Sequence, residues 1–276
     1  MTLPVPWLIW VVGDNTNVGK TTVSASLLRV LNAAGKVAVG FKPYAGARLA
    51  EVAQLLEDVA AGDGLLVGWD ARKLVAASPR IPPDWLEVAN PSWRVSYPDR
   101  DASAFIRKGS LVIGRRTFFQ AASTQPLWSR PDFQALNRRV LLPVSSCSVI
   151  PDRLADEVDF ADQSVQQASF HRLLTLQPDI VLCEGAGRLL PVWQGAPPVR
   201  HLFFISKGDL CLFPNVGIRI PGGSDSFGPY TSAALVKHLH GKAHLRSPIP
   251  FLHSSELETG MDAFIRRFLK TVLKEA

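Results

Sequence analysis

The sequence predicts an α/β protein built on a doubly wound, mostly parallel sheet flanked by helices, with an irregular insertion in the middle. Three observations predict this fold class. Strand-like apolar runs alternate with stretches of helical spacing over most of the 276 residues. The first apolar run, residues 7–12, leads through a polar loop directly into a helical stretch. In the strand predicted at 179–183, residues 180–183 are all apolar, which is typical of a strand buried on both faces.

The elements follow from turn signals and from hydrophobic spacing. In the first third, Pro43 and Gly62 end predicted elements. The predicted strands cover residues 7–12, 36–43, 179–183, 201–206 and 248–253. The first predicted helix begins at Gly19. The other predicted helices cover residues 47–61, 68–78, 155–177, 230–240 and 256–274, and a Gly- and Pro-rich loop covers 214–228.

Residues 79–151 are the least regular part, because prolines and tryptophans interrupt every pattern there. Short strands are predicted at 110–119 and 139–144. We interpret the region as an insertion or flap within one domain that spans residues 1–276. The sequence leaves open whether it contacts a ligand or is a peripheral flap.

Composition excludes several classes of protein. Hydrophobic residues make up 47% and charged residues 20%, as in globular domains. The net charge of +6 comes from scattered residues, so a nucleic-acid partner is not expected. Three cysteines without metal-type spacing predict a reducing, cytoplasmic location. No apolar run approaches the ~20 residues of a membrane span, and the first run is interpreted as a core strand, not as a signal peptide.

The loop from Gly13 to Thr22 is predicted to bind phosphate. Backbone N–H groups at a helix start favour an anion, Lys20 supplies charge for outer phosphates, and the Thr21 hydroxyl suits Mg²⁺. Five residues separate the first glycine from the Gly-Lys pair, whereas the common motif has four. The residues predicted to contact the nucleotide here are Gly13, Asn15, Asn17, Val18, Gly19, Lys20, Thr21 and Thr22.

Three charged residues stand at element ends where an open α/β sheet places ligand contacts. Lys42 ends the second strand, and Glu184 ends the strand at 179–183 as a candidate acidic partner for Mg²⁺. Asp70 begins a short helix. It could cap that helix or reach toward Mg²⁺, and the spacing does not decide between the two.

Three segments in this order resemble the dethiobiotin synthetase family. They are GDNTNVGKT at Gly13–Thr21, GFKP at Gly40–Pro43 and CEGAG at Cys183–Gly187. The resemblance covers about the first eighty residues and residues 178–190. It implies a P-loop NTPase fold of the SIMIBI-like class. It also implies a homodimer.

The resemblance further implies a Mg-ATP-dependent ligase. Such enzymes carboxylate an amine of a diamine with CO₂, phosphorylate the carbamate with ATP and close a cyclic urea, a step of biotin biosynthesis. By position, Lys20, Lys42 and Thr16 would be catalytic and Gly187 would contact the nucleotide. Thr21, Asp70 and Glu184 would hold the metal.

Several alternatives stay open at this point. Arg188 adds a cation that favours a more anionic substrate such as a carboxylate. A nucleotide-driven switch or partitioning ATPase is disfavoured, because residues 14–17 lack the early lysine of those families. A catalytically silent nucleotide-binding relative is possible, because Asn15 and Asn17 replace acidic residues of the family pattern. The Ser206–Asp209 segment weakly resembles a guanine-reading motif, so GTP is an alternative to ATP.

Overall fold

A computed structural model gives the fold of most of the chain. It describes residues 5–48, 67–96, 103–110, 112–122, 147–151, 163–193, 195–206, 208–218, 231–239, 245–250 and 252–275. The strands in these ranges are β1 (Trp7–Gly13), β2 (Ala38–Phe41), β3 (Tyr44–Arg48), β4 (Ser92–Ser96), β5 (Ser103–Ser110), β6 (Arg115–Ala121), β7 (Cys147–Ile150), β8 (Ile180–Glu184), β9 (Val199–Ser206), β10 (Asp209–Ile218) and β11 (Leu245–Pro248).

The α-helices in the same ranges separate the strands along much of the chain. They are α1 (Lys20–Ala33), α2 (Trp69–Ala76), α3 (Leu86–Ala89), α4 (Ser164–Leu174), α5 (Ser232–His238) and α6 (Leu257–Glu275). A 3₁₀ turn at Pro83–Trp85 precedes α3.

The main sheet has six strands in the order β11-β10-β9-β1-β8-β2. Its four strands β9, β1, β8 and β2 are parallel, while β10 runs antiparallel to both β9 and β11. The carboxyl ends of the parallel strands therefore meet at one edge of the sheet, where open α/β sheets bind ligands.

Helices cover both faces of this sheet, and β1 shows why. Its side chains alternate between two hydrophobic cores, with Leu8 and Trp10 in one and Ile9 and Val11 in the other. The first core includes residues of α4, and the second is formed with α1 and α6. The predicted α/β class, a mostly parallel sheet flanked by helices, is therefore confirmed.

Cys183 lies fully buried in β8, and burial raises the pKa of its thiol well above the usual value.

The middle of the chain is more regular than predicted. Strands β4 to β7 join β3 in a second sheet of order β3-β4-β5-β6-β7. Only Lys42 and Pro43 separate β2 in the main sheet from β3 in the second. Among the described residues that interrupt the strand pattern, Trp93 and Trp85 are both buried, and Pro91 directly precedes β4.

Several predicted elements need correction. Residues 110–119 form two strands joined by a turn, because Gly114 adopts a positive φ of 69° between β5 and β6. Residues 47 and 48 end strand β3 instead of beginning a helix. Part of the predicted loop 214–228 belongs to β10, since Pro214 still pairs with His201 of β9, and the last strand lies at 245–248 instead of 248–253. The predictions for residues 49–61, 139–144, 155–162 and 219–228 lie outside the described residues.

Within the described residues, no helix combines the length and apolar character that crossing a membrane requires.

One carboxylate of the C-terminal helix α6 forms hydrogen bonds with two side chains of α1. Asp262 accepts hydrogen bonds from the Ser26 hydroxyl (2.6 Å) and from Arg29 (Nη2, 2.7 Å). We expect Asp262→Ala to lower the free energy of unfolding by about 1–2 kcal/mol, because two charge-assisted contacts are lost in a partly buried site. Glu258, 3.9 Å from Arg29 and 77% exposed, is the control, and Glu258→Ala should cost less than about 0.5 kcal/mol.

The effect of Asp262→Ala should depend on pH. Burial alone raises the pKa of Asp262, but its bonds to Arg29 and Ser26 outweigh burial and lower it. The stabilisation is therefore complete above the unfolded pKa of about 3.9 and is lost as the pH falls through the lower folded value. Urea unfolding of parent and variant should show a difference in free energy of unfolding at about pH 7 that becomes smaller below about pH 4. A difference that grows on acidification would contradict this assignment.

Candidate functional site

The residues predicted to carry chemistry converge at the carboxyl edge of the main sheet. Gly13 ends β1, Glu184 ends β8, and Lys42 directly follows β2. Since β8 lies between β1 and β2, the three positions are neighbours across the sheet. The start of α1 and the first turn of α2 supply the remaining groups.

The loop between β1 and α1 has the backbone of a tight turn. A Cβ on Gly13 would lie 2.6 Å from Val18 Cγ2 and 3.1 Å from the Ile205 carbonyl, so a side chain there would have to displace its neighbours. Asn17 and Gly19 adopt left-handed backbone conformations, with φ of 59° and 91°. Asn15 and Thr16 are exposed, while Val18 and Thr22 are half-buried. The loop therefore turns outward and returns into α1 within six residues.

Helix α1 begins at Lys20 with Gly19 as its N-cap, and no described side chain caps it. Its first N–H groups have no partner within the helix, so they are donors for an anion. Lys20 is buried, and its Nζ donates to the Asn15 carbonyl at 2.5 Å. The ammonium group thus lies over the loop that precedes its own helix.

A buried ion-pair network lies beside this loop. The Lys42 side chain is only 3% exposed, and its Nζ donates to Glu184 Oε1 at 2.6 Å and to Asp70 Oδ2 at 2.8 Å. Thr21 Oγ1 also donates to Glu184 Oε1, at 2.9 Å. Glu184 is fully buried, whereas the Asp70 side chain is 48% exposed. Residues from four separate parts of the sequence therefore form one hydrogen-bonded cluster.

The position of Asp70 does not match the predicted capping role. It lies in the first turn of α2, whose N-cap is Gly68, and no described side chain caps that helix. Its carboxylate bonds to Lys42 instead. Asp70 therefore belongs to the cluster.

The charges of the cluster shift the pKa values of its members. Burial lowers the pKa of Lys20, and this effect outweighs the nearby Glu184. Burial alone would also lower the pKa of Lys42, but Glu184 and Asp70 together raise it. For Asp70, burial alone would raise the pKa, and the Lys42 ammonium lowers it below the usual range. The ion pairing therefore favours the charged forms of Lys42 and Asp70, whereas burial disfavours the charged form of Lys20.

Gly187 lies beside the loop, next to Thr16. It has a positive φ of 57°, and a Cβ built on it would lie 3.5 Å from Thr16 Cγ2. Arg188, the candidate for an added cation, is exposed. The structure thus brings Gly187 to the predicted loop at Thr16, and it brings Lys20, Thr21, Lys42, Asp70 and Glu184 together.

Sequence reasoning missed the residue that holds Lys42 in place. Asn90 is fully buried and donates to the Lys42 carbonyl (2.8 Å) and to the Ser92 carbonyl (2.9 Å), while the Lys42 N–H donates to Ala89 O (2.7 Å). Arg107 in turn donates to the Asn90 carbonyl at 2.5 Å. The second sheet therefore fixes the lysine backbone. The only signal in the sequence was the Ala-Asn-Pro turn before β4, which predicts a loop but does not predict that Asn90 bonds the Lys42 backbone.

Two other supports also escaped prediction. The buried Ser232 hydroxyl donates to the Gly13 carbonyl and, at 3.1 Å, to the Arg188 carbonyl. The Ser206 hydroxyl donates to the Asp14 carboxylate. Both contacts join the loop to residues about two hundred positions away, which no local pattern reveals.

Ser206 and Asp209, the ends of the segment that resembles a guanine-reading motif, lie at the junction of two strands. Ser206 pairs with Asp209 across a tight turn between the antiparallel strands β9 and β10. The Asp209 carboxylate accepts from Arg246, with Nε at 3.0 Å. Asp209 therefore serves as the partner of an arginine on β11.

The cluster offers oxygen ligands of the type that Mg²⁺ prefers. Glu184 Oε2 is buried and, within the described part of the chain, has no hydrogen-bond partner. Glu184 Oε1, Thr21 Oγ1 and the Asp70 carboxylate complete an oxygen donor set. The residues thus fit a hard cation held by two carboxylates and a hydroxyl. The cluster contains two acids, and no group of three or more His, Cys, Asp or Glu side chains suited to a metal occurs among the described residues.

Comparison with known proteins gives no assignment. No protein-family model matches the sequence, and no curated protein matches it.

Two substitutions of equal chemistry test the buried ion pair. Glu184→Gln should lower the free energy of unfolding by about 3 kcal/mol, because it leaves the buried Lys42 ammonium with a single half-exposed counter-charge. Asp70→Asn removes the same charge at a site that water can reach, and it should cost about 1 kcal/mol. Urea denaturation of both variants measures the difference. Equal costs, or a smaller cost for Glu184→Gln, would contradict the network described here.

Proposed function

We propose that this site binds a magnesium nucleoside triphosphate and transfers its terminal phosphoryl group in an ATP-dependent ligase reaction. The observation that carries the proposal is the hydrogen-bonded cluster of Lys42, Glu184, Asp70 and Thr21 beside the uncapped start of α1. A loop that ends in Gly-Lys-Thr before a helix, two lysines and two acids are the groups that phosphoryl transfer uses.

Charge balance supports a magnesium complex over the free nucleotide. Counted by formal charge, the two lysines, Lys20 and Lys42, balance the two acids, Asp70 and Glu184. A triphosphate alone would meet two carboxylates at close range. Held by Thr21, Asp70 and Glu184, a Mg²⁺ ion would neutralise both the acids and the phosphate oxygens.

Each lysine has a different part in the proposed reaction. Lys20 lies over the loop, where its ammonium and the first N–H groups of α1 hold the phosphates. Lys42 lies deeper, bonded to both acids, and it stabilises charge that develops on the transferring group. Because Asn90 fixes its backbone, Lys42 requires little reorganisation during the reaction.

The proposed acceptor is a small molecule. Resemblance to the dethiobiotin synthetase family favours an amine that reacts with CO₂ to give a carbamate, which is then phosphorylated and attacked by a second amine. The exposed Arg188 next to Gly187 favours an acceptor that carries a carboxylate. ATP is preferred over GTP in this proposal, because Asp209 already pairs with Arg246. The same resemblance favours a homodimer, which sedimentation would test.

Lys20→Met should weaken Mg-ATP binding at least about 100-fold, because a buried cation over the loop is lost. Lys73→Met is the matched control, since Lys73 is an exposed lysine in the last turn of α2 and should leave affinity unchanged. Isothermal titration measures both variants, and chelating magnesium should weaken binding to the parent by at least about tenfold. Tight binding that is indifferent to magnesium and to Lys20 would refute the proposed site.

Lys42→Met should separate binding from catalysis. We expect the rate of phosphate release, measured with candidate amines and bicarbonate, to fall about 1,000-fold while Mg-ATP affinity changes less than about tenfold. Stimulation of the parent by an amine and bicarbonate would identify a ligase. Phosphate release that ignores every acceptor would favour a nucleotide-driven switch, and binding without release would favour a catalytically silent protein.

A further inference from the structure

A second cavity lies at the opposite edge of the main sheet from the candidate site. Its volume is about 370 Å³, within the range of small-molecule pockets. It opens at the start of β1 and β8, between them and the end of α4. At about 3.3 Å per residue, the length of β1 places it roughly 20 Å from Gly13. The walls are mainly apolar and include Val5, Trp7, Phe170, Leu174, Pro178 and Pro197.

The cavity concentrates apolar surface that would be favourable to cover. Val5 is 71% exposed and Trp7 is 45% exposed. Among the described residues, they are two of the three large hydrophobic side chains that are exposed. Exposed apolar residues that share one concave surface indicate a binding site more strongly than isolated ones do.

Two cationic side chains and one carboxylate lie at the cavity or beside it. Lys36 lines it and is exposed. The Arg200 guanidinium lies 3.8 Å from the centre of the Trp7 ring. The lining also contains one acid, Asp179, which accepts a hydrogen bond from the Val37 N–H at 2.9 Å, so the three side chains sum to a formal charge of +1. An apolar ligand with one negative charge therefore complements the cavity better than a neutral or cationic ligand.

We propose that this cavity is a binding site for a small organic carboxylate with a flat apolar or aromatic body. The body packs against Trp7, Phe170 and Leu174, and the carboxylate faces Lys36 at the rim. This site is independent of the proposed nucleotide site, since the two share no residue.

The test uses 2-naphthoate as the probe and its neutral amide as the matched ligand, without nucleotide or magnesium. Calorimetric titration should show the carboxylate binding at least about fivefold more tightly than the amide. Lys36→Gln should remove that preference, whereas Lys73→Gln, at an exposed lysine outside the cavity, should retain it. Leu174→Trp, which fills the cavity, should abolish binding of both ligands.

Three results of the titrations would overturn the proposal. The first is no heat from either ligand with the parent protein. The second is equal affinity for acid and amide in the parent. The third is undiminished binding to Leu174→Trp when its urea midpoint matches that of the parent. Self-association of the parent that Leu174→Trp removes, measured by sedimentation, would assign the surface to a second copy and would likewise overturn it.

Discussion

The structure of the candidate site depends on the compensation of one buried charge. The Lys42 ammonium lies almost entirely out of water, and an isolated charge there would be strongly unfavourable. Glu184 and Asp70 supply the counter-charge from the end of β8 and the start of α2. Because Thr21 bonds the same Glu184 oxygen, this compensation also fixes the first turn of α1. A single electrostatic requirement thus joins two strands and two helices.

The second sheet explains how Lys42 reaches that position. The chain leaves β2 in the main sheet and enters β3 in the second after only two residues, and Lys42 is the first of them. Asn90 and Ala89 bond its backbone from the segment before β4, and Arg107 holds Asn90 from β5. A strand end between two sheets has little freedom to move. Such support is the kind of preorganisation that charge stabilisation in phosphoryl transfer requires.

Much of this arrangement follows from local sequence. The apolar run of β1, the Gly-Lys-Thr start of α1, and the polar residues after buried strands all predict an α/β sheet with its site at the carboxyl edge. Lys42 and Glu184 could be named because each directly follows an apolar run. Asn90, Ser232 and Ser206 could not, because their partners lie far away in sequence and any polar residue in a turn has the same local signature. The second sheet was hidden because its short strands carry charged and polar residues on a pattern interrupted by proline.

The most direct test of the account is a crystal structure with Mg²⁺ and a non-hydrolysable ATP analogue. We predict phosphate oxygens on the N–H groups at the start of α1 and on Lys20, with the metal bound to Thr21, Asp70 and Glu184. A nucleotide bound elsewhere would contradict this prediction. So would a structure determined at saturating ligand concentration in which no ligand is bound and Lys42 still lies between both acids.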